Sequence, residues 1–487
     1  MTAMHKSIQI RCFCFLCFCL LFAGCRPDPA PHPDLIILQT GRLRGNVYPS
    51  EMRGEFPLQH YAYLAGYVKA VRAEAVQQGA EVLLVDLGDS LSGSFAAHVT
   101  RGRNMAAFFN TLRYDAIALG NLDADLPADL IAEIRVPVLC PFQRPDGTPA
   151  MPGTVPGARF VRGRFAVTLL SNFYGDTLVE SDPLRFPSSF GPSRARVLPI
   201  RDYEPVLRNL PKLEGVPFDA FAWMKFEPGE KPPGLFLERL RELGIDLILA
   251  HRIYSGKEPE SLRAARAPDW IPPVAENVLR SNLGFTLART DLRRERERWR
   301  VLRTEVVPLT ANTAPPDPAI RAAIEPFGEA IGRADATIGN LSFARSQAEV
   351  YRTYVAALSE LPDIDLIAYS PESIRTAWSV GVLRASHVYD CLPWTAPLYR
   401  VTVPHERLPE LLKLRKLDIW ERVGRKAGDL HLATSAYYAA LLQQQLGLAT
   451  IEPMDFPSEY EFFLAYLQRV PDLAHAAPGP EWRRAGP

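Results

Sequence analysis

Two short apolar runs, each ending in a glycine-acid turn, constrain this chain more than any other feature. Val82-Leu83-Leu84-Val85 leads into Asp86-Leu87-Gly88-Asp89-Ser90, and Ala116-Ile117-Ala118-Leu119 leads into Gly120-Asn121-Leu122-Asp123-Ala124-Asp125. Apolar runs of four bounded by turn residues read as buried strands, and the helix-patterned run Asn104 to Arg113 lies between them. A strand–helix–strand unit of this kind builds a parallel sheet, and such sheets place their ligands beyond the carboxyl ends of the strands. The side chains delivered there are short and polar. Asp89 on this evidence alone either serves a ligand or caps the next helix.

Gly88-Asp89 and Gly120-Asn121-Leu122-Asp123-Ala124-Asp125 resemble the two opening motifs of the calcineurin-like metallophosphoesterases, specifically the bacterial periplasmic 5′-nucleotidase family. Those motifs read Gly-Asp and Gly-Asn-His-Glu/Asp-Phe-Asp, so Leu122 stands where the family has its catalytic histidine. The resemblance implies an α/β protein: an N-terminal four-layer α/β/β/α metallophosphoesterase-like sandwich plus a C-terminal α/β domain of 5′-nucleotidase type.

Further stretches carry the same resemblance with altered letters. Leu35 to Leu38 reads as the first strand and leads to Gln39-Thr40-Gly41-Arg42-Leu43-Arg44-Gly45, where the family has Thr-Asn-Asp-x-His-Gly. Tyr61 to Gln78 has helical spacing of Tyr61, Leu64, Ala65, Val68 and Val71. Phe165 to Leu170 and Phe218 to Met224 read as strands of a second half-sheet; Lys225 falls closest to a family metal-binding histidine. Gly244 to Leu249 resembles the strand before Gly-Gly-His-Ser-His, and Arg252 and Tyr254 then take the two histidine positions, with His251 offset by one. Gly234 to Leu243 reads as an amphipathic helix, and the charge-rich pair around Arg289 to Arg300 as a solvated edge.

The expected organisation is a lipoprotein signal peptide over 1–24, a tether over 25–34, a metallophosphoesterase-like domain over 35–309, and a linker helix over 310–335. A 5′-nucleotidase C-terminal-like domain over 336–470 and a flexible tail over 471–487 complete it. In the second domain Ile364 to Tyr369 reads as a strand ending at Ser370 to Arg375, and Arg375 alone survives of the family's Asn-Gly-Gly-x-Arg. The later Gly-Gly-Asp-Gly-Tyr/Phe loop is absent; Ala436-Tyr437-Tyr438 opens a Gln-rich helix instead. Tyr437, Tyr438, Tyr460, Phe462 and Phe463 read as core or as a stacking face.

The N-terminus reads as an address. An apolar stretch from Cys12 to Ala23, too short for a comfortable span, ends Leu21-Phe22-Ala23-Gly24-Cys25, which resembles the bacterial lipobox. That resemblance implies lipidation at Cys25 and an exported lipoprotein on the periplasmic side of a membrane; the other reading is an ordinary signal peptide cleaved elsewhere. Five of the seven cysteines lie in or at the end of this segment. Cys140 and Cys391 remain, which fits two buried thiols or one bridge rather than a disulfide framework. Charge balances at 55 basic against 55 acidic residues, so nothing recommends nucleic acid as a partner.

The altered letters decide the expected chemistry. A two-metal phosphoesterase binds phosphate and activates water through cations held by His, Asn and Asp. Here the remnant ligands are Asp89 and Asn121, with Asp125 left from the catalytic pair of the missing histidine. Arg42, Arg44, Arg252 and Lys225 enter instead, and guanidinium groups keep their protons and do not ligate metals. The expectation is a catalytically degenerate relative without a metal cofactor. Arg42, Arg44, Lys225, Arg252 and Arg375 would bind an anion, a phosphate or a nucleotide, or the cations would form a structural ion-pair network with Asp89 and Asp125. The alternative is an active phosphohydrolase with a rearranged or single-metal site, which would need divalent metal.

Overall fold

The computed structural model describes residues 32–41, 43–47, 59–120, 123, 128–143, 146–149, 151–173, 198–199, 204–210, 218–226, 245–252, 286–296, 298–309, 312–393, 395–414, 417–424, 428–448, 450–470 and 478–485. Cys25, the helix expected over Gly234 to Leu243, Arg42, Asn121, Leu122, Asp125 and Tyr254 lie outside those residues, as do the side chains of Lys225, His251 and Arg252.

The first sheet begins with β1 (Leu35–Thr40), β2 (Glu81–Asp86), β3 (Ala116–Ala118) and β4 (Val138–Leu139), all parallel. Helix α1 (Gln59–Gln78) joins β1 to β2. After it come α2 (Phe95–Thr100), α3 (Arg103–Leu112) and α4 (Ala128–Glu133). A two-strand ribbon, β5 (Phe142–Gln143) with β8 (Leu198–Pro199), stands apart from it.

The second sheet runs β10-β9-β7-β6, from β6 (Gly157–Arg162), β7 (Phe165–Phe173), β9 (Phe218–Phe226) and β10 (Ile245–Arg252), with α5 (Glu204–Asn209) between β8 and β9. The chain then returns to the first sheet as the hairpin β11 (Thr286–Glu295) and β12 (Arg298–Pro308), giving the order β12-β11-β1-β2-β3-β4.

Alternation along β1 explains why its sequence is apolar throughout. Leu35 and Ile37 point inward with Leu83, Val85, Phe165, Val167, Leu169 and Leu249, forming the layer between the sheets. Ile36 and Leu38 face the other way, against Leu64 and Val68 of α1 and Phe108 and Phe109 of α3. A strand covered on both faces has no solvent side to spare for polar residues.

Three expectations are corrected here. The strand β10 does not stop at Leu249: its backbone continues through His251 and Arg252, which pair with Lys225 and Phe226. The charge-rich hairpin is no solvated edge at Arg289, which is 4% exposed. Its guanidinium donates to Asp291 at 2.7 Å through Nε and to both carboxylate oxygens of Glu74 at 2.9 and 2.8 Å. The linker is two short helices, α6 (Pro318–Ile324) and α7 (Gly328–Ala334), separated by a 3-10 turn at Glu325–Phe327. Pro326 lacks the N–H that a continuous helix would need.

The C-terminal unit opens with the ribbon of β13 (Thr337–Leu341) and β15 (Gly381–Arg384). Its main sheet runs β19-β16-β18-β14-β17-β20, from β14 (Leu366–Tyr369), β16 (Leu398–Val403), β17 (Asp418–Arg422), β18 (Leu430–Ser435), β19 (Ile451–Pro453) and β20 (Trp482–Ala485). Helices α8 (Gln347–Ser359), α9 (Ala385–Cys391), α10 (Ala436–Leu446) and α11 (Glu459–Arg469) belong to this unit. Ser346 and Glu349 close a capping box on α8, satisfying N–H groups that a helix start leaves open. The tail expected to be flexible contains β20, whose backbone pairs with β17 from Ile419 to Arg422 and whose Trp482 is buried. Cys140 and Cys391 are buried thiols that form no disulfide among the described residues. Among the described residues no helix is long and apolar enough to cross a membrane.

Candidate functional site

The carboxyl ends of β1, β2 and β3 meet, and buried side chains sew their loops together. Asp86, the last residue of β2, accepts from Thr40 Oγ1 at 2.7 Å, from the Gly88 N–H at 2.9 Å and from Ser90 Oγ at 3.0 Å. Ser90 Oγ in turn accepts the Leu43 N–H at 3.1 Å. Across the gap, Asp123 accepts the Leu91 and Ser92 N–H groups at 2.9 and 3.3 Å and the Gly120 N–H at 2.9 Å. Desolvation, joined by the negative charge of Asp89, pushes both fully buried carboxyls up, Asp86 to about 6 and Asp123 well above the usual carboxylate range.

The loop after β1 is held on the same frame. Arg44 and Gly45 both have positive φ, 49° and 67°. Their N–H groups donate to the Asp89 and Ser90 carbonyls at 3.1 and 2.9 Å. Asp89 itself is buried with φ 55°, and its carboxylate lies against Gly120, so closely that a methyl group there would run into it. Glycine at 120 is therefore a space requirement rather than a turn preference.

This arrangement brings Arg44 and Asp89 together and sets Asp89 beside the residue preceding Asn121. Lys225 and Arg252 lie at the carboxyl ends of the adjacent parallel strands β9 and β10. Arg375 belongs to the C-terminal unit, in the segment after β14. Its N–H donates to the Cys391 carbonyl at 2.9 Å, and its carbonyl accepts from Gln347 at 2.7 Å.

Asp86 and Asp123 already hold hydroxyls and backbone amides, and among the described residues no group of three or more His, Cys, Asp or Glu side chains is disposed to hold a metal ion. Thr40, Ser90 and Asp123 are the site residues that motif reading passes over. The available signal was the second acid of each motif, Asp86 before Gly88 and Asp123 after Gly120.

Solved structures share this arrangement of two units. A 5′-nucleotidase precursor from Thermus thermophilus superposes over 89% of this chain and 96% of its own, with TM-score 0.60 and 16% identity. The fold is that of the 5′-nucleotidases. The Candida albicans 5′-nucleotidase agrees, with TM-score 0.62 over 90% of this chain and 98% of its own, at 12% identity. Sequence similarity to 5′-nucleotidases is local. The snake venom 5′-nucleotidase of Naja atra is 39% identical over 71 residues, which is 14% of this chain and 13% of that protein. No protein-family model matches the chain.

Proposed function

We propose that this chain is a catalytically degenerate protein of 5′-nucleotidase fold that binds an anion, a phosphate or a phosphorylated nucleotide, where its relatives' fold would bring metal and substrate together. The reading rests on one observation: the acids at the strand ends are engaged in holding the loops, while Arg44 is bonded through its backbone to Asp89. Arg42, two residues earlier, Lys225 and Arg252 supply further positive charge. A guanidinium matches phosphate oxygens through paired N–H donors and needs no metal to do so. Arg375 would extend recognition to the rest of a nucleotide. Cys25 would carry the lipid that keeps the protein on the periplasmic side of a membrane.

The second reading is a phosphohydrolase with a rearranged or single-metal site. It is favoured by Asp89, one of the two remnant ligands, lying against Gly120, the residue that precedes Asn121 in the sequence. Metal content and turnover of the purified mature chain separate the two. Nucleoside monophosphates and p-nitrophenyl phosphate serve as substrates with added Mn²⁺, and inorganic phosphate is titrated by calorimetry. Binding of phosphate without turnover, weakened at least about tenfold by Arg44→Ala, is the expected result. Metal-dependent hydrolysis abolished by Asp89→Ala, with the thermal midpoint intact, would replace the binding reading with the enzyme.

Anchoring has its own test. Cys25→Ser is expected to move the protein out of the membrane fraction or to block its processing. An unchanged membrane-bound, processed species would refute lipidation there.

A further inference from the structure

Helix α2 is only six residues long, yet it is held by both units of the molecule. On one side it grips the loop after β1. Ser94, its N-cap, accepts the Ala97 N–H at 3.1 Å and donates its own hydroxyl proton to the Gly45 carbonyl. Asn104, at the start of α3, donates to the Gly45 and Val47 carbonyls at 3.2 and 2.9 Å, and its amide oxygen accepts from Thr100 Oγ1 at 2.8 Å. Gly45 packs so tightly on Ala97 that a side chain there would overlap its methyl group.

On the other side the same helix enters the C-terminal core. Phe95 and Ala96 are buried among residues of that core, not among those of the two N-terminal sheets. Phe95 meets Tyr389 of α9 edge-on at 6.2 Å. The His98 ring lies 4.9 Å from Tyr389 and 5.3 Å from Tyr460 of α11, and those tyrosines touch each other at 5.1 Å. A helix that is bonded to one unit through its N-cap and packed into the other through its first turn is constrained by both.

We propose that α2 is a coupling element that ties the Leu43–Val47 loop to α9 and α11 of the C-terminal unit, so that loosening either end loosens the other. The chain of contacts is short: Gly45 carbonyl to Ser94, Ser94 to the first turn of α2, and Phe95 and His98 to Tyr389 and Tyr460. Packed interfaces respond as units rather than deforming gradually. Coupling between two ends must also be reciprocal. The consequence does not depend on what, if anything, binds at the loop, so it stands or falls separately from the anion-binding reading.

The test is hydrogen–deuterium exchange on the full chain, comparing wild type with Ser94→Ala and with His98→Gln. Ser94→Ala removes a cap and a loop contact without altering any C-terminal residue. It is expected to speed exchange on the order of fivefold in peptides covering 385–391 and 459–469, as well as in 43–47. His98→Gln is expected to do the converse, speeding exchange in 43–47 by a similar factor. Arg103→Ala, on α3 but paired outward with Asp129 and Glu133, is expected to leave 385–391 and 459–469 unchanged. If each variant disturbs exchange only in its own unit, α2 is a passive contact and the proposal fails. Should Ser94→Ala not fold, the His98→Gln measurement alone decides it, because its predicted effect in 43–47 lies across α2 from the Tyr389 and Tyr460 contacts that it alters.

Discussion

Replacing Glu459 with glutamine should remove one buried carboxyl's share of the stability that the wild type loses as pH rises. Glu459, at the start of α11, is 1% exposed, and its Oε2 accepts the hydroxyl of Tyr354 at 3.2 Å and that of Tyr369 more closely. Desolvation dominates and pushes its carboxyl up to about 8, against the opposing pull of the two tyrosine hydrogen bonds. The sign follows from proton counting. Unfolded, this carboxyl loses its proton near its ordinary 4.5; folded, it keeps the proton until about 8. Between those values the unfolded chain binds fewer protons, so the stabilisation is complete below the lower one and is lost as pH rises toward the upper. The slope is about 1.4 kcal/mol per pH unit, and the whole window amounts to roughly 4–5 kcal/mol. Glutamine cannot ionise yet retains an oxygen for both tyrosines. Urea denaturation of both proteins at pH 5.5 and 7.5, followed by tryptophan fluorescence, isolates the effect, since every other titrating group is common to the two. The advantage of Glu459→Gln over wild type should grow by roughly 2–3 kcal/mol between those pH values. Parallel pH profiles would show that Glu459 is ionised in the folded state and refute the reasoning.

Two further substitutions probe the frame. Arg289→Ala should lower stability by about 1.5–3 kcal/mol, because it strips charged hydrogen bonds from Glu74 and from the 6%-exposed Asp291, which keeps only the half-exposed Arg303; a change under about 0.5 kcal/mol in urea denaturation would contradict that. Gly66→Ala, normally favourable inside a helix, should instead lower the thermal midpoint, because its new methyl would collide with the Pro315 carbonyl where the linker crosses α1; a raised midpoint would show that the crossing yields easily.

Much of the fold was legible because buried strands advertise themselves. Leu35 to Leu38, Val82 to Val85 and Leu366 to Tyr369 are apolar on both faces, and no amphipathic helix of that length would be. The loops between them were legible in position but not in role. Asp123 cannot be understood from its neighbours, because the Leu91 and Ser92 amides it accepts come from a loop about 30 residues earlier, and such long-range pairing leaves no local pattern. Arg289 was hidden for a related reason: a run of alternating charge reads as solvated, yet every second residue of a strand turns to the other face. Trp482 to Ala485 escaped as a strand because it is four residues long and follows a proline- and alanine-rich stretch, while its pairing with β17 is set by tertiary contacts. The cationic replacements around the site were visible as letters at once. What Asp86 and Asp123 do there needed coordinates.

The position of β1 in its sheet also sets a clock. Its two neighbours are β2, made soon after it, and β11, whose Leu292 pairs with Leu35 and emerges from the ribosome about 250 residues later. At roughly 5–20 residues per second, the long edge of β1 stays open for tens of seconds during synthesis. An unpaired apolar strand edge is a template for wrong partners, so the nascent chain needs shelter through that interval. The same delay keeps the first sheet from closing until β11 has been made.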